Sequence, residues 1–272
     1  MRSFQKLAVF LLLFFLSPVF ADVSNEFAPF QTRDEVEHAL KTAKVIKAKW
    51  IGTGVTNPRK LTLTDGKYEF HAAFKSMDLR KRGITKLASG SAEKDFKDSW
   101  MFEVAAYELD KLLGLNMVPV VVERRYDGTN GALVWWVQNA MSEKDRREKA
   151  LTPPDPERWN QAMFKIRLFD QLVYNIDRHL GNFLITPDWK LWMLDCTRCF
   201  KNENSLRNGG EITRFSKSMI EGIKKLDEKI LMERCGKWLS GYEIRAMLKR
   251  RDAIVHTYDQ QLALNGEMIL FP

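Results

Sequence analysis

Cysteine and histidine are both scarce in this chain of 272 residues, which contains three cysteines and four histidines. So few cysteines exclude a fold held together mainly by disulfide bonds. The histidines form no HExxH pair, and the sequence also lacks the GxxxxGK[ST] phosphate loop and the GxSxG turn. These absences argue against a zinc hydrolase, a P-loop nucleotidase and a serine hydrolase of the α/β type.

Two of the cysteines, Cys196 and Cys199, have the CxxC spacing of a redox pair or of half a zinc site. No second CxxC or histidine pair is available to complete tetrahedral zinc coordination. We therefore interpret the spacing as a coincidence where a strand passes into a loop. One disulfide among these two residues and Cys235 stays open as the alternative. The absence of any Asn-x-Ser/Thr sequon favours a bacterial over a eukaryotic secretory origin.

A long apolar run occurs only at the N-terminus. Arg2 and Lys6 precede the run, which extends over residues 7–16. The next five residues end at Ala21 and have the compact side chains at Val19 and Ala21 that suit cleavage by a signal peptidase. The run is about half of the ~20 residues that a membrane-spanning helix needs. The pattern predicts a signal peptide at residues 1–21 and hence an exported protein. That protein would be periplasmic or extracellular in a bacterium, and in the secretory pathway in a eukaryote.

The rest of the composition is that of a globular protein, with 45% hydrophobic and 29% charged residues. The formal net charge is +8, of which Arg2 and Lys6 of the leader supply two. A positive excess attracts phosphates, acidic proteins and anionic lipid surfaces. We expect transient contact with an anionic membrane surface, and we predict no nucleic-acid partner.

Hydrophobic periodicity divides the chain into a sheet-rich first half and a helical second half. Strands are predicted at 45–55, 60–64, 67–75, 118–122, 132–137, 183–185 and 191–194, with a hairpin turn at Asp65-Gly66. Helices are predicted at 34–43, 99–113, 157–176, 218–231 and 243–263. Residues 78–98 are predicted to form a mobile loop and residues 142–156 a linker. The expected fold is α+β with two lobes, an N-lobe at 22–141 and a C-lobe at 142–272.

The most informative polar residues surround one short predicted hairpin in the second half. Asp177 and Asn182 precede the hairpin, and Asp195 follows it. Phosphoryl transfer requires metal ions on the phosphates, a carboxylate near the attacking hydroxyl and fixed positive charge. Asn182 and Asp195 offer the hard oxygen ligands that Mg²⁺ prefers. Asp177 is placed to orient or deprotonate an acceptor. A structural network that only fixes the loop is the alternative.

The order Asp177-Arg178-His179-x-Gly-Asn182, then a hairpin and an apolar strand closing in Asp195, resembles the catalytic centre of atypical kinases. It is similar to the phosphoinositide 3-/4-kinase group, to HipA-like bacterial kinases and to the secretory-pathway Golgi kinases. Asp195 is followed by cysteine rather than Phe-Gly, and Asp-Arg-His replaces the His-Arg-Asp order. Both departures separate the chain from ordinary protein kinases.

The resemblance implies further residues in the first half. Lys75 matches the strand lysine that contacts ATP phosphates, and Glu103 matches its acidic partner, with Glu108 on the same predicted helix as the competing choice. Gly52 and Gly54 resemble a glycine-rich loop over the phosphates. Taken singly, each of these signals is better explained by a hairpin turn or by a solvated charge.

Further roles are implied by the same resemblance. His179 would bind the attacking group or the phosphate, or else only brace the loop. Asn182 and Asp195 would hold Mg²⁺ or Mn²⁺, and backbone groups of 137–141 would read the adenine of ATP. Arg198 would hold either a phosphate or the loop.

The predicted function is an exported kinase that transfers a phosphoryl group from ATP to a hydroxyl of a protein or lipid. One alternative is an inactive pseudokinase that binds nucleotide or a partner, and another is an AMP transferase on the same fold. The acceptor itself is not encoded in a motif, because the segments 78–98 and 200–215 contain none that is recognisable.

Overall fold

The computed structural model of the chain describes residues 26–52, 58–87, 90 and 92–272. The predicted signal peptide at 1–21 lies outside the described residues, and so does Gly54. Gly52 is described, with φ at 77°, a conformation that favours glycine.

The N-terminal lobe is built on an antiparallel sheet, which has five strands among the described residues. In chain order these are β1 (Lys44–Trp50), β2 (Arg59–Thr64), β3 (Glu69–Lys75), β6 (Val121–Tyr126) and β7 (Thr129–Trp135). They lie side by side in the order β1-β2-β3-β7-β6, and α1 (Arg33–Thr42) precedes them. The predicted turn at Asp65-Gly66 is confirmed, and the Asp65 carboxylate accepts hydrogen bonds from the next backbone amides.

Strand β3 determines which way Lys75 points. Its side chains alternate, with Phe70, Ala72 and Phe74 buried in the core. Ala73 and Lys75 therefore share the opposite face, because successive strand residues point to opposite sides.

Helix α2 (Trp100–Leu113) confirms the prediction for 99–113 and packs against the sheet. Ser99 caps its start by accepting a hydrogen bond from the Met101 amide. Gly114 ends it in the left-handed conformation with φ at 62°. Glu103 therefore lies in the first turn, on a helix whose position is fixed at both ends.

The mobile loop predicted at 78–98 is wrong. The segment forms a hairpin of two antiparallel strands, β4 (Asp78–Lys86) and β5 (Ala92–Ser99). Its outer part is exposed on both faces and therefore shows no alternation of apolar and polar residues. A register shift between Lys81 and Ile84 disturbs the pattern further. Without a buried face, the sequence offers no strand signal.

The same hairpin reaches across to the C-terminal lobe. Lys97 Nζ donates to Glu243 Oε1 at 2.7 Å, and Glu243 is fully buried. Glu93, nearer the tip, forms ion pairs with both Arg198 and Lys201. The hairpin thus connects the two lobes through charged side chains.

The C-terminal lobe is mainly helical. Its helices are α3 (Glu143–Glu148), α4 (Pro156–Val173), α5 (Lys217–Lys224), α6 (Glu228–Cys235) and α7 (Gly241–Asn265). Its strands are β8 (Met141–Ser142), β9 (Phe183–Ile185), β10 (Leu191–Met193), β11 (Phe215–Ser216) and β12 (Leu270–Phe271). In the described parts of the chain, no helix is both long and apolar enough to span a membrane.

Two predictions in this lobe need correction. The linker predicted at 142–156 contains α3, which begins with a capping box between Ser142 and Asp145. The single helix predicted at 218–231 is two helices, because the side chain of Asp227 caps the start of α6 by accepting from the Ile230 amide. In both segments, short polar caps decide the structure rather than hydrophobic periodicity.

Candidate active site

The central feature of the candidate site is a lysine, only 14% exposed, that lies between two carboxylates. Lys75 forms an ion pair with Glu103, and its Nζ atom lies 3.2 Å from Asp195 Oδ1. Burial alone would lower the pKa of Lys75, but the two carboxylates reverse the effect, and its pKa is raised. Lys75 is therefore a permanent cation that joins β3, α2 and the segment after β10.

Glu103 rather than Glu108 is the partner of Lys75. The Glu103 side chain is only 4% exposed, and its carboxylate accepts a hydrogen bond from Lys75 Nζ. Glu108 instead pairs with Lys111 and Arg234, each at 2.8 Å. The sequence-based choice between the two glutamates is thus supported by the geometry.

Asp195 lies just beyond β10, with its backbone in the left-handed region at φ 57°. Its Oδ1 atom also accepts a hydrogen bond of 3.0 Å from the Thr197 hydroxyl. Burial would raise the pKa of Asp195, but Lys75 and Thr197 outweigh burial and lower it. Asp195 is accordingly ionised at neutral pH, which a metal-binding carboxylate requires.

The loop before β9 is held by Arg178, whose guanidinium pairs with Asp170 of α4 at 2.9 Å. Arg178 also donates to the backbone carbonyl groups of Asn182 and Leu194. One side chain therefore fixes both the start of β9 and the residue before Asp195. Asp170 was missed from the sequence, although an acidic residue within an apolar helix stripe is the signal that would have indicated it.

The predicted metal ligands are brought together by the hairpin. The Leu194 amide donates to the Asn182 carbonyl at 2.9 Å, so Asn182, just before β9, and Asp195, just after β10, lie at the same end of the hairpin. Asn182 Nδ2 donates to the Asp177 carbonyl at 2.8 Å. Because this bond uses the amide nitrogen, Oδ1 of Asn182 is the atom left to bind a cation.

Asp177 and His179 lie on the same loop, ahead of Asn182. The Asp177 amide donates to Asn175 Oδ1 at 2.9 Å, and the Asp177 carboxylate forms no ion pair with the described residues. His179 is exposed, and its Nδ1 accepts a hydrogen bond from the Gly181 amide at 3.1 Å. This bond braces the loop, so it supports the structural alternative for His179.

Cys196 and Cys199 form a disulfide bond, so the interpretation of their spacing as a coincidence is wrong. Both residues are buried directly after Asp195, where the short turn brings their side chains together. The bond closes a small loop around Thr197, whose carbonyl accepts from the Ser99 amide at 2.9 Å. Cys235 is a free, buried thiol. Spacing alone cannot reveal such a bond, because it depends on the backbone turn.

The donor set suits a hard divalent cation. Within the described residues, no three acidic, histidine or cysteine side chains form a preformed metal cage. Mg²⁺ and Mn²⁺ sites in phosphoryl-transfer enzymes commonly consist of one or two protein oxygens completed by water and substrate phosphates. Asn182 and Asp195 fit that pattern.

Solved structures share this architecture. Hydra Fam20 with sugar matches with a TM-score of 0.65 at 15% identity, over 88% of this chain and 91% of that chain. The Golgi casein kinase with Mn/ADP bound matches with a TM-score of 0.63 at 15% identity, over 86% and 77%. The Helicobacter pylori kinase CtkA matches with 0.51 at 12% identity, over 83% and 98%.

The chain therefore has the two-lobed fold of the atypical kinases. The solved structures that it resembles include Fam20, the Golgi casein kinase and a bacterial kinase. Identities this low establish the fold alone. No protein-family model and no curated protein sequence matches the chain.

Proposed function

We propose that this protein is an ATP-dependent kinase that transfers the γ-phosphoryl group to a hydroxyl of a protein or lipid. The observation that carries the proposal is the position of Lys75 between Glu103 and Asp195, with Nζ 3.2 Å from Asp195 Oδ1. This contact joins residues from three separate segments in the order that the kinase motif requires. A solvated surface lysine would have no such partners.

Each residue has a distinct role in the proposed reaction. Lys75 binds the phosphates, and Glu103 holds its ammonium in place. Asn182 Oδ1 and the Asp195 carboxylate would hold Mg²⁺ or Mn²⁺, which would supply positive charge to the phosphates. Asp177 orients the acceptor hydroxyl and takes its proton.

The bond changes follow from these positions. The acceptor oxygen forms a bond to the γ-phosphorus while the bond from that phosphorus to the bridging oxygen of ADP breaks. The hydroxyl proton passes to Asp177, and ADP leaves with the electron pair. Gly52 and Gly54 would belong to a loop that covers the phosphates, as the sequence resemblance implies. Backbone groups of 137–141 would hydrogen bond to the adenine.

Export remains part of the proposal. The N-terminal pattern at 1–21 supports it, and so does the disulfide between Cys196 and Cys199, since such bonds persist mainly in oxidising compartments. The formal charge of +8 is compatible with acidic protein acceptors and with anionic lipid surfaces.

The experiment uses the exported protein, Mn²⁺ or Mg²⁺, and a panel of proteins and lipids. ATP labelled at the γ-phosphate should transfer its label, and the Asp177→Ala and Asp195→Asn variants should not transfer it. Glu108→Gln is the matched control, because Glu108 lies on α2 outside the site. Transfer from α-labelled ATP instead would indicate an AMP transferase. Nucleotide binding without any transfer would indicate a pseudokinase.

A further inference from the structure

The β4–β5 hairpin presents a positively charged face that neither the fold nor the proposed reaction uses. Ile84 on β4 lies directly opposite Lys94 on β5, so the two side chains share one face of the hairpin. Lys86, two residues after Ile84, points to the same side. We call Ile84, Lys86 and Lys94 the outer face. All three residues are exposed, and Ile84 is 79% exposed.

The opposite face of the hairpin is directed toward the C-terminal lobe. Thr85 lies opposite Glu93, and Glu93 forms ion pairs with Arg198 and Lys201. Thr85 and Glu93 are accordingly only partly exposed. Because successive strand residues point to opposite sides, the outer face points away from that lobe and into solvent.

Most of the bases on this hairpin have no acidic partner. Two of the six bases on its strands are paired, Arg80 with Asp78 and Lys97 with Glu243. The other four form no ion pair with the residues that the structure describes: Lys81, Arg82, Lys86 and Lys94. The exposed acid between them is Asp95, whose carboxylate accepts a hydrogen bond of 2.9 Å from the Gly83 amide. The excess of cations makes this part of the molecule attractive to an anionic partner.

Each component of the outer face has an ordinary explanation when it is taken alone. Single exposed apolar residues are common on protein surfaces. Lysines are common on free strand edges, where they prevent pairing with other chains. Protection of an edge requires charge alone, however, and an exposed isoleucine on the same face would counteract it. The combination of Ile84 with unpaired cations on either side therefore needs a different explanation.

The combination fits an anionic lipid surface better than a segment of an acidic protein. Binding sites for extended ligands are usually concave and enclose the side chains that they bind. Strand β4 is instead exposed along nearly its whole length, and it forms no groove with its single partner β5. A membrane surface needs no groove, because lysines can contact lipid phosphates while an apolar side chain enters the interface.

We propose that the outer face of the β4–β5 hairpin docks on membranes that contain anionic lipids. Ile84 inserts among the lipids, and Lys86 and Lys94 contact their phosphates. The net charge of +8 predicts attraction to such a surface but assigns it to no part of the molecule. The inference does not rest on the proposed function, because docking requires no phosphoryl transfer.

The position of the hairpin gives docking a consequence for the candidate site. The hairpin begins three residues after Lys75, and at its base the Trp100 amide donates to the Met77 carbonyl at 2.8 Å. Docking would therefore bring Lys75 and its partners close to the membrane surface.

The test measures co-sedimentation of the exported protein with vesicles of phosphatidylcholine, alone or mixed with phosphatidylglycerol. We expect binding to the mixed vesicles only, and weaker binding at higher salt concentration. The double substitution Lys86→Gln with Lys94→Gln should lower the affinity about 30-fold, or about fivefold for each lysine. Lys225→Gln with Lys229→Gln is the matched control, because it removes the same charge from exposed positions in the C-terminal lobe.

The insertion of Ile84 is tested separately. Ile84→Ser should weaken binding to the mixed vesicles about tenfold. Leu264→Ser should not, although Leu264, at the end of α7, is 78% exposed. A nitroxide label on an Ile84→Cys variant reports insertion directly, because Cys235 is buried and does not compete for the label. On mixed vesicles, electron paramagnetic resonance should show more collisions of the label with oxygen and fewer with a water-soluble nickel chelate.

The substituted residues are exposed, so the variants should fold, which circular dichroism checks. Absence of wild-type binding to mixed vesicles at low salt would overturn the proposal. Equal losses in the two double-lysine variants would overturn it as well, since they would reflect net charge alone.

Two further results would assign the outer face to another role. If the Lys86 and Lys94 double variant self-associates and keeps its vesicle affinity, the lysines protect strand edges and the proposal is wrong. If that variant loses binding to polyglutamate but keeps its vesicle affinity, the face binds acidic proteins instead. None of these results bears on the kinase proposal, which transfer of the γ-label tests.

Discussion

Replacing Glu103 with glutamine is the most direct perturbation of the proposed site. The change preserves size but removes one of the two carboxylates that contact Lys75. Removing one partner of a buried ion pair commonly costs about 3–5 kcal/mol. Because Asp195 remains 3.2 Å from Nζ, we expect a smaller loss of stability, about 2 kcal/mol. In a chain of this length, that corresponds to a decrease in melting temperature of roughly 4–8 °C.

The effect on activity should exceed the effect on stability. Without Glu103, the Lys75 ammonium would be drawn toward Asp195, where it would compete with the proposed metal and move away from the phosphates of a bound nucleotide. A displacement of about 1 Å at a reacting centre can lower the rate about 100-fold. We therefore expect kcat for γ-phosphoryl transfer to fall by about that factor at a temperature where the variant is folded.

The assay compares Glu103→Gln with Glu108→Gln by steady-state transfer of γ-label and by thermal melting. Glu108 pairs with Arg234, which is 43% exposed, and such pairs contribute about 0–1 kcal/mol. The Glu108→Gln variant should therefore retain wild-type kcat. Equal activity of both folded variants would refute the role assigned to Glu103.

Three further predictions concern the disulfide and the loop. Burial raises the pKa of the Cys235 thiol to about 12, so no thiol of the folded, unreduced protein should react with iodoacetamide at pH 8; one should react after unfolding, and three after unfolding and reduction. The double substitution Cys196→Ser with Cys199→Ser should lower the free energy of unfolding, measured by urea titration, by about 2 kcal/mol. The loss is this small because the disulfide closes only a short loop. Equal free energies of unfolding for the variant and the unreduced wild-type protein would contradict this prediction. In the Arg178→Lys variant, lysine cannot form the planar contact that arginine makes with Asp170. We expect kcat to fall, while nucleotide affinity measured by calorimetry stays nearly unchanged. A loss of affinity with unchanged kcat would contradict the role of Arg178 in holding the loop before β9.

The parts of the fold with a strong hydrophobic pattern were predictable from sequence. Alternation along β3 fixed the direction of Lys75, and the apolar face and glycine stop of α2 fixed Glu103. The Asp177 to Asp195 segment was recognisable because polar residues flank two short apolar strands. For these elements, local sequence and tertiary structure favour the same conformation.

The remaining features depend on contacts that the sequence does not display. The β4–β5 hairpin buries only its base, so its outer residues show no periodicity. The disulfide likewise depends on the backbone turn between Cys196 and Cys199, which their spacing in the sequence does not reveal.

The ion pairs between the β4–β5 hairpin and the C-terminal lobe limit how the cleft can open. Rotation of one lobe away from the other would have to separate Lys97 from Glu243 and Glu93 from Arg198 and Lys201. Several of these groups are largely buried, so breaking them together would be costly. The hairpin thus restrains the movement of the two lobes relative to each other. In the proposed kinase, we therefore expect nucleotide exchange to require small local movements rather than a large hinge motion.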